Sequence, residues 1–174
     1  DRQNKRIYLF NLGLKKMIFI QEYKAKKIKT PNIYANRSRI LSSKNTNLIY
    51  LLNKRFAWMK KYLKGKRHII ELGSGNGCLT KVIKNKNIIL TDIIKYPWIH
   101  RKVDMLKVNL GTKYIRKVDI VIINHSLHHC SSPYSTLKKI SKYLKKNGYI
   151  LINEPETSFF LKLIQIILDD ESWS

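Results

Sequence analysis

A chain of 174 residues is long enough to bury one α/β core. Its 35 Lys+Arg against 11 Asp+Glu give a formal charge of +24, an excess that attracts nucleic acid or an anionic membrane surface. The lysines are scattered among abundant Ile and Asn, as an AT-rich genome would also impose, so charge alone names no partner. Cys78 and Cys130 stand in no Cys-x-x-Cys or Cys/His spacing, which excludes a disulfide framework and a metal site of that kind and fits reduced thiols in the cytoplasm.

Residues 1–64 read as a basic helical segment preceding a main domain over 65–174. The apolar stretch 7–20 is broken by Asn11, Gly13, Lys15 and Lys16. It is too short and too charged to span a bilayer and lacks a cleavage-site pattern. Phe10, Leu14, Met17 and Ile18 fall at helical spacing, which predicts a helix packed on the main domain or lying on a membrane surface. Lys29-Thr30-Pro31-Asn32 is a break. Ile40, Leu41, Leu48, Leu51, Leu52, Phe56, Met59 and Leu63 then recur at helical intervals, predicting helices over 36–41 and 47–63, ended by Lys64-Gly65-Lys66.

The stretch 68–92 organises the rest. An apolar run (Ile69, Ile70, Leu72) meets a glycine loop (Gly73, Gly75, Gly77), a short amphipathic segment follows, and a second run, Ile88-Ile89-Leu90, leads to Asp92. That is strand, turn, helix and strand, with an acid roughly 20 residues past the glycines. Glycine tolerates positive φ and holds no side chain between backbone and ligand. An acid at the tip of the second strand can accept hydrogen bonds from a ribose diol. A nucleoside-containing cofactor follows. A dinucleotide loop would read Gly-x-Gly-x-x-Gly, and here Cys78 stands in place of the third glycine.

Lys102-Val103-Asp104-Met105-Leu106 predicts a third strand ending in an acid. Val118-Asp119-Ile120-Val121-Ile122-Ile123-Asn124 is a continuous apolar run, as a central parallel strand buried on both faces requires. His125, His128 and His129 follow it. A helix carrying Leu137, Ile140 and Leu144 on one face is then expected to end at Lys146-Asn147-Gly148, with Asn-Gly as its left-handed cap. Tyr149 to Pro155 reads as the next strand. Lys138-Lys139 and Lys145-Lys146 read as a solvated face.

Glu71-Leu72-Gly73-Ser74-Gly75-Asn76-Gly77 resembles the first motif of the class I S-adenosylmethionine-dependent methyltransferases, Asp/Glu-x-Gly-x-Gly-x-Gly. The later passage is similar to the second half of the same family: Asp-x-Val at the fourth strand, a Leu-His-His turn, a helix, and a Leu-Lys-Pro-Gly-Gly turn. Here that turn reads Leu144-Lys145-Lys146-Asn147-Gly148, without the proline and first glycine. The resemblance covers about 66–168. It implies a Rossmann-like, doubly wound, mostly parallel sheet flanked by helices. It implies S-adenosyl-L-methionine as cofactor, held by Glu71, Gly73, Ser74, Gly75, Asn76 and Gly77 of the loop, by Asp92 and Ile93, by Asp104 and Met105 at the adenine, and by Asn124. Tyr34 and Arg37 are candidates for a lid. The family adds two further strands after the fifth, so a chain starting at Asp1 and closing on Asp-Asp-Glu-Ser-Trp-Ser reads as a piece of a longer protein with an exposed sheet edge.

Methyl transfer from a sulfonium needs mainly proximity and alignment, and a base only where the acceptor loses a proton. His128, with His125 and His129 beside it, is the candidate base at the carboxyl end of the fourth strand; alternatively the adjacent histidines only shape the turn. Glu154 is a second candidate for holding substrate. Base-methylating enzymes carry Asn/Asp-Pro-Pro-Tyr/Phe after the fourth strand, and Asn124-His125-Ser126-Leu127 is not that motif. Thr91-Asp92-Ile93 before Tyr96-Pro97, and Asn153-Glu154-Pro155, resemble a bacterial-type branch acting on sugars or surface glycans. The expected partner is therefore a small-molecule methyl acceptor, a sugar or glycan precursor. An RNA methyltransferase and a non-catalytic module of the same fold are the alternatives.

Overall fold

In the computed structural model, which describes residues 8–10 and 45–154, the apolar runs pair into one six-stranded sheet. Its strands are β1 (Tyr8–Phe10), β2 (Ile69–Leu72), β3 (Ile88–Asp92), β4 (Arg101–Lys102), β5 (Val118–Asn124) and β6 (Leu144–Asn153), in the order β1-β6-β5-β2-β3-β4. Every pairing is parallel except β1 with β6. Ile69 lies opposite Ile88 on one side and Ile120 on the other, which makes β2 the centre. The chain moves outward from β2 in both directions, so the switch point lies between β2 and β5, at whose carboxyl ends such sheets bind ligands.

Side chains alternate between two cores, as the period of two requires. Ile69, Ile88, Leu90, Ile120, Ile122 and Leu151 face the helices before β2 and the short helix after it. Ile70, Leu72, Val121, Ile123, Ile150 and Ile152 face the helix between β5 and β6. The two cores are the physical content of a doubly wound architecture.

The helix predicted over 47–63 is built as α1 (Thr46–Phe56), a 3₁₀ turn (Ala57–Met59) and α2 (Lys60–Leu63). Asn45 starts it by accepting a hydrogen bond from the Leu48 amide at 3.1 Å. Leu52, Phe56, Met59 and Leu63, spaced four, three and four, are buried in the same core as the sheet, whereas Leu51 points to solvent. The segment after the glycine loop gives only one turn, α3 (Leu79–Val82).

Four expectations are corrected. The helix predicted through Phe10 gives way, at residues 8–10, to a strand antiparallel to β6, with Tyr8 opposite Ile152. The edge of β6 that was expected to be open is thereby paired, since backbone groups there need partners. The strand predicted over 102–106 stops at Lys102, because the Asp104 side chain accepts from the Leu106 amide at 2.8 Å and its carbonyl accepts from Val108, also at 2.8 Å. That turn carries the chain away from the sheet. The helix α4 (Pro133–Ser141) ends before Lys146, and Leu144 already belongs to β6. Asn147-Gly148 is therefore no helix cap. A Cβ on Gly148 would sit 3.0 Å from the Val118 carbonyl and 3.2 Å from that of Asp119, so glycine serves close backbone approach there. Of the lysine pairs, Lys138, Lys145 and Lys146 are exposed as expected, with Lys145 also donating to Asp119 at 2.7 Å, and Lys139 is half-buried and donates to the Leu106 carbonyl at 2.5 Å. Leu14, Met17, Ile18, Tyr34, Arg37, the 36–41 helix and the chain beyond Glu154 lie outside the described residues.

Asp119 does its work at the opposite end of the sheet from the glycine loop. It accepts from the amides of Arg67 (3.1 Å) and His68 (2.9 Å) and from Lys145, tying the entry of β2 to the start of β6. Burial would raise its pKa, but these donors outweigh burial and hold it below the usual carboxylate value. Its contribution is thus present at neutral pH and lost as pH falls through the lowered value. Asp119→Ala is expected to cost about 1–3 kcal/mol of stability, read as a lower urea midpoint, while ligand affinity at the far end stays unchanged.

Candidate functional site

The glycine loop closes the top of β2 in a conformation that side chains resist. Gly73, Gly75 and Gly77 have φ of +66°, +48° and +67°. A Cβ on Gly73 would lie 2.7 Å from both Cβ and Oγ of Ser126, whereas one on Gly75 would meet nothing within 4 Å. Gly73 therefore lets β5's exit turn press against the loop, and Gly75 leaves the outer side open.

Hydrogen bonds from β3 fix this loop. The Ser74 amide donates to the Thr91 carbonyl (2.9 Å), and the Thr91 hydroxyl donates to the Glu71 carbonyl (2.7 Å). The Ser74 hydroxyl donates to that same carbonyl at 3.3 Å and accepts from the Thr91 amide at 3.2 Å. Asn76 accepts from the Cys78 amide at 3.1 Å. Ser74 and Asn76 thus shape the loop through their side chains. From outside, the Trp98 indole donates to the Gly75 carbonyl at 2.8 Å, with its ring stacked on Tyr96 at 5.1 Å.

Asp92, at the tip of β3, accepts from the Gly75 amide at 2.8 Å and from Ile94 at 3.0 Å. A carboxylate has about four acceptor positions, so two remain for a ligand. Ile93 beside it is 50 % exposed, an apolar surface next to a buried acid. Met105 reaches the same region: its Cε would lie 3.9 Å from a Cβ on Gly73. The Asp104 carboxyl is instead turned into its own loop through Leu106.

Glu71 is the most perturbed acid. It is 2 % exposed and accepts from the Asn124 side-chain amide at 2.7 Å. Burial pushes its pKa up to about 7, against the Asn124 and Ser74 hydrogen bonds, and the charge of Asp92 adds to the rise. Among the described residues, three buried side-chain atoms have no hydrogen-bond partner: Glu71 Oε2, Asn124 Oδ1 and Asn153 Nδ2. Asn124 and Asn153 lie opposite one another at the ends of β5 and β6, and Asn124 bonds Glu71 on β2. Such orphans cluster where a ligand completes the site.

The turn after β5 forms the far wall. Glu154 accepts from the amides of Ser126 (3.0 Å) and Leu127 (2.8 Å) through one oxygen, and its other oxygen lies 2.5 Å from His128 Nδ1. Ser126 in turn donates to the Leu72 carbonyl at 3.2 Å. His128 and His129 have ring centroids 4.0 Å apart, and His125 takes a positive φ of 48°. Burial pushes the Cys130 thiol up, with the charges of Glu154 and Asp104 adding to it, so it is no nucleophile at neutral pH. The structure thus brings Glu71, Gly73, Ser74, Gly75, Asp92, Met105 and Asn124 to one end of the sheet, with Asn76 bracing the loop and Asp104 displaced into a turn.

Thr91, Trp98, Ser126 and Asn153 are site residues that motif reading passes over. Thr91 and Ser126 act through carbonyls of residues 20 and 54 positions away, which no local pattern marks. A separate hollow of about 320 Å³, lined by Lys60, Leu63, Lys64, Val82, Ile83, Lys84 and Asn85, lies away from these groups and holds no acid or histidine. Among the described residues no cluster of His, Cys, Asp and Glu fits a metal ion, and no helix is long and apolar enough to cross a membrane.

An open α/β sheet with a glycine loop at its switch point and an acid on the adjacent strand tip defines a nucleotide-type binding domain. The chain belongs to the methyltransferase domain family, whose model matches residues 44–173. Solved structures of similar fold include the CurJ carbon methyltransferase, with 19 % identity, 77 % of this chain and 42 % of that one covered, and a TM-score of 0.52. A SAM-dependent methyltransferase from Archaeoglobus fulgidus has 21 % identity, 79 % and 65 % coverage and a TM-score of 0.60. The PH0226 protein of Pyrococcus horikoshii has 14 % identity, 79 % and 70 % coverage and a TM-score of 0.57. The chain thus spans less than two thirds of the first two. No curated protein matches it significantly.

Proposed function

We propose that the protein transfers a methyl group from S-adenosylmethionine to a small molecule in the cytoplasm, a sugar or glycan precursor. The observation that carries the reading is the set of unused polar positions around the loop: two acceptor positions on Asp92, and the buried Glu71 Oε2 and Asn124 Oδ1. These fit the donor set of an adenosyl amino acid. Asp92 would accept from the ribose hydroxyls, Ile93 and Met105 would offer apolar surface to the purine, and Glu71 and Asn124 would accept from the ammonium. An ammonium there also counters the burial that holds Glu71 near 7. Bound in this way, the cofactor supplies an electrophilic methyl on a sulfonium. The chain's task is then to align an acceptor and exclude water, with His128 on the acceptor side as base.

The exit of β5 supports a small acceptor. A flipped base needs an aromatic platform, and the turn supplies a buried Leu127 followed by histidines. Asp92→Ala removes the ribose acceptor and the brace on Gly75. It is expected to weaken S-adenosylhomocysteine binding about a hundredfold, the loss of roughly two charge-assisted hydrogen bonds. The acceptor class is tested by incubating the full chain with methyl-labelled S-adenosylmethionine and, separately, a small-molecule extract or total RNA. Label in the small-molecule fraction, absent with Asp92→Ala, is the expected result. Label confined to RNA would replace this reading by the RNA methyltransferase.

A further inference from the structure

The charge that the glycine-loop site leaves unused has a place in the fold. Among the described residues, the acids Glu71, Asp92, Asp104 and Glu154 lie at or just past strand tips at the carboxyl end of the sheet, and Asp119 alone stands at the amino end. Basic residues take the strand entries. β2 is entered through Lys66 and Arg67, and β3 through Lys84 and Lys86. β5 is entered through Arg116 and Lys117, and β6 opens with Lys145 and Lys146 behind Leu144. Because β6, β5, β2 and β3 are neighbours and run parallel, these entries lie side by side. Hydrogen bonds hold them there: the Arg116 amide donates to the Lys142 carbonyl (3.2 Å), the Asp119 amide to that of His68 (2.9 Å), and the Asn87 side chain to that of Lys66 (2.9 Å). Lys66 is half-buried and the other basic side chains are exposed. Strands spaced roughly 4.8 Å apart make this a basic ridge about 15 Å wide. Among the described residues, Lys145 with Asp119 is its one ion pair between a Lys or Arg and an acid. Beside β3 the ridge runs into the hollow lined by Lys60, Lys64 and Lys84.

We propose that this amino-end ridge is a docking surface for the phosphate backbone of RNA, held as a partner and not as the methyl acceptor. The surface is independent of the methyl-transfer reading above. A lysine-rich composition scatters cations over the whole molecule, but it does not sort the acids to the opposite end of the sheet. Like charges crowded on one rim repel and destabilise the fold, a cost that a polyanion cancels. A row of exposed cations fits a backbone whose counterions are released as its phosphates are neutralised. An anionic bilayer would also answer the charge, but segments that sit in lipid carry large apolar side chains beside their lysines. Here Ile93 and Tyr134 follow strand tips at the far end, and Tyr50 and Leu51 lie on α1. Of the exposed large apolar residues only Ile115 adjoins a strand entry. The ridge has charge without an inserting face.

The length of the sheet separates this surface from the glycine loop. β5 has 7 residues, so at about 3.3 Å each the ridge stands roughly 20 Å from Asn124. RNA on the ridge and a nucleoside at the loop therefore occupy the protein together. Docking leaves the carboxyl end open to a small acceptor.

The test is fluorescence anisotropy of the full chain with a labelled single-stranded oligouridylate across a salt series, on the wild type and two variants of equal charge change. Lys86→Gln with Lys117→Gln removes two exposed cations from the ridge. Lys102→Gln with Lys107→Gln removes two exposed cations from the carboxyl end, where Lys102 lies opposite Asp92. The ridge variant is expected to bind about 25-fold more weakly at about 0.1 M salt and to flatten the salt slope by about 1.4, the loss of two single-strand phosphate contacts at about 0.7 each. The carboxyl-end variant is expected to bind as the wild type does, and both variants to keep the wild-type urea midpoint. Saturating RNA is expected to leave S-adenosylhomocysteine affinity unchanged and to take up no label from S-adenosylmethionine. Vesicles of phosphatidylserine and phosphatidylcholine, titrated in parallel, are expected to bind more weakly than the RNA. Absence of RNA binding by the wild type, equal losses in the two variants, displacement of S-adenosylhomocysteine by RNA, methylation of the RNA, or ridge-dependent binding of vesicles in place of RNA would each overturn the proposal.

Discussion

Gly73→Ala is expected to lose about 2–5 kcal/mol of stability and most of the ligand affinity. Two costs add. The left-handed φ of +66° strains any residue with a Cβ by roughly 1–2 kcal/mol. The new methyl would also stand 2.7 Å from the Cβ and Oγ of Ser126. Neither is the far end of a flexible chain, and Ser126 is held by Leu72 and Glu154. Overpacking of that kind costs a further 1–3 kcal/mol or so. Gly75→Ala is the informative partner. Its φ of +48° carries the backbone cost, but nothing lies within 4 Å of the added carbon. It should therefore lose only about 1–2 kcal/mol, yet place a methyl on the side open to ligand. Urea unfolding and S-adenosylhomocysteine titration of both variants separate the two roles: Gly73 mainly structural, Gly75 mainly a matter of access. Equal stability losses would show that the Gly73–Ser126 contact relaxes at little cost.

Glu71 ties stability to pH in the sense opposite to Asp119. Its folded pKa, about 7, stands above the ordinary 4.5. The native protein thus holds a proton that the unfolded chain releases, and stability falls as pH rises from the lower value through the higher one. Two and a half units correspond to about 3 kcal/mol. Without ligand, the wild type is expected to lose roughly that much between pH 4.5 and 8 relative to Glu71→Gln. The glutamine keeps an acceptor for Asn124 and carries no charge to bury. It should therefore be the more stable protein above pH 7 and the weaker binder, since a carboxylate facing an ammonium is lost. Chemical unfolding at several pH values reads the slope. Parallel stability curves for the two proteins would mean that Glu71 is ionised and solvated at neutral pH.

Strands β2, β3, β5 and β6 were legible because burial on both faces writes near-continuous runs of Ile, Val and Leu. The loop was legible because three positive-φ positions demand glycine. The two long-range features were not. β1 depends on which edge is left unpaired, a property of the assembled sheet that residues 8–10 do not encode. Leu144 to Gly148 carries helix-compatible lysines, and it becomes strand because Gly148 fits against the carbonyls of Val118 and Asp119 while Lys145 reaches Asp119. Asp104 illustrates a local competition. An acid before Met105 can end a strand, but its side chain bonds the amide two residues on and turns the chain first. At the site, the family resemblance pointed to Glu71, Asp92 and Asn124, which the fold brings to one end of the sheet. The grip of Thr91 and Ser126 on backbone carbonyls, and that of Glu154 on the His128 turn, appear only once β2, β3, β5 and β6 lie side by side.

The end of the sheet holding Glu71, Asp92 and Asn124 is expected to bind an adenosyl amino acid. Isothermal titration of the full chain with S-adenosylhomocysteine, and separately with NAD, is the test. One site for S-adenosylhomocysteine, weakened about a hundredfold by Asp92→Ala, and no binding of NAD are expected. Heat from NAD alone, or affinity for S-adenosylhomocysteine that Asp92→Ala leaves untouched, would contradict that expectation.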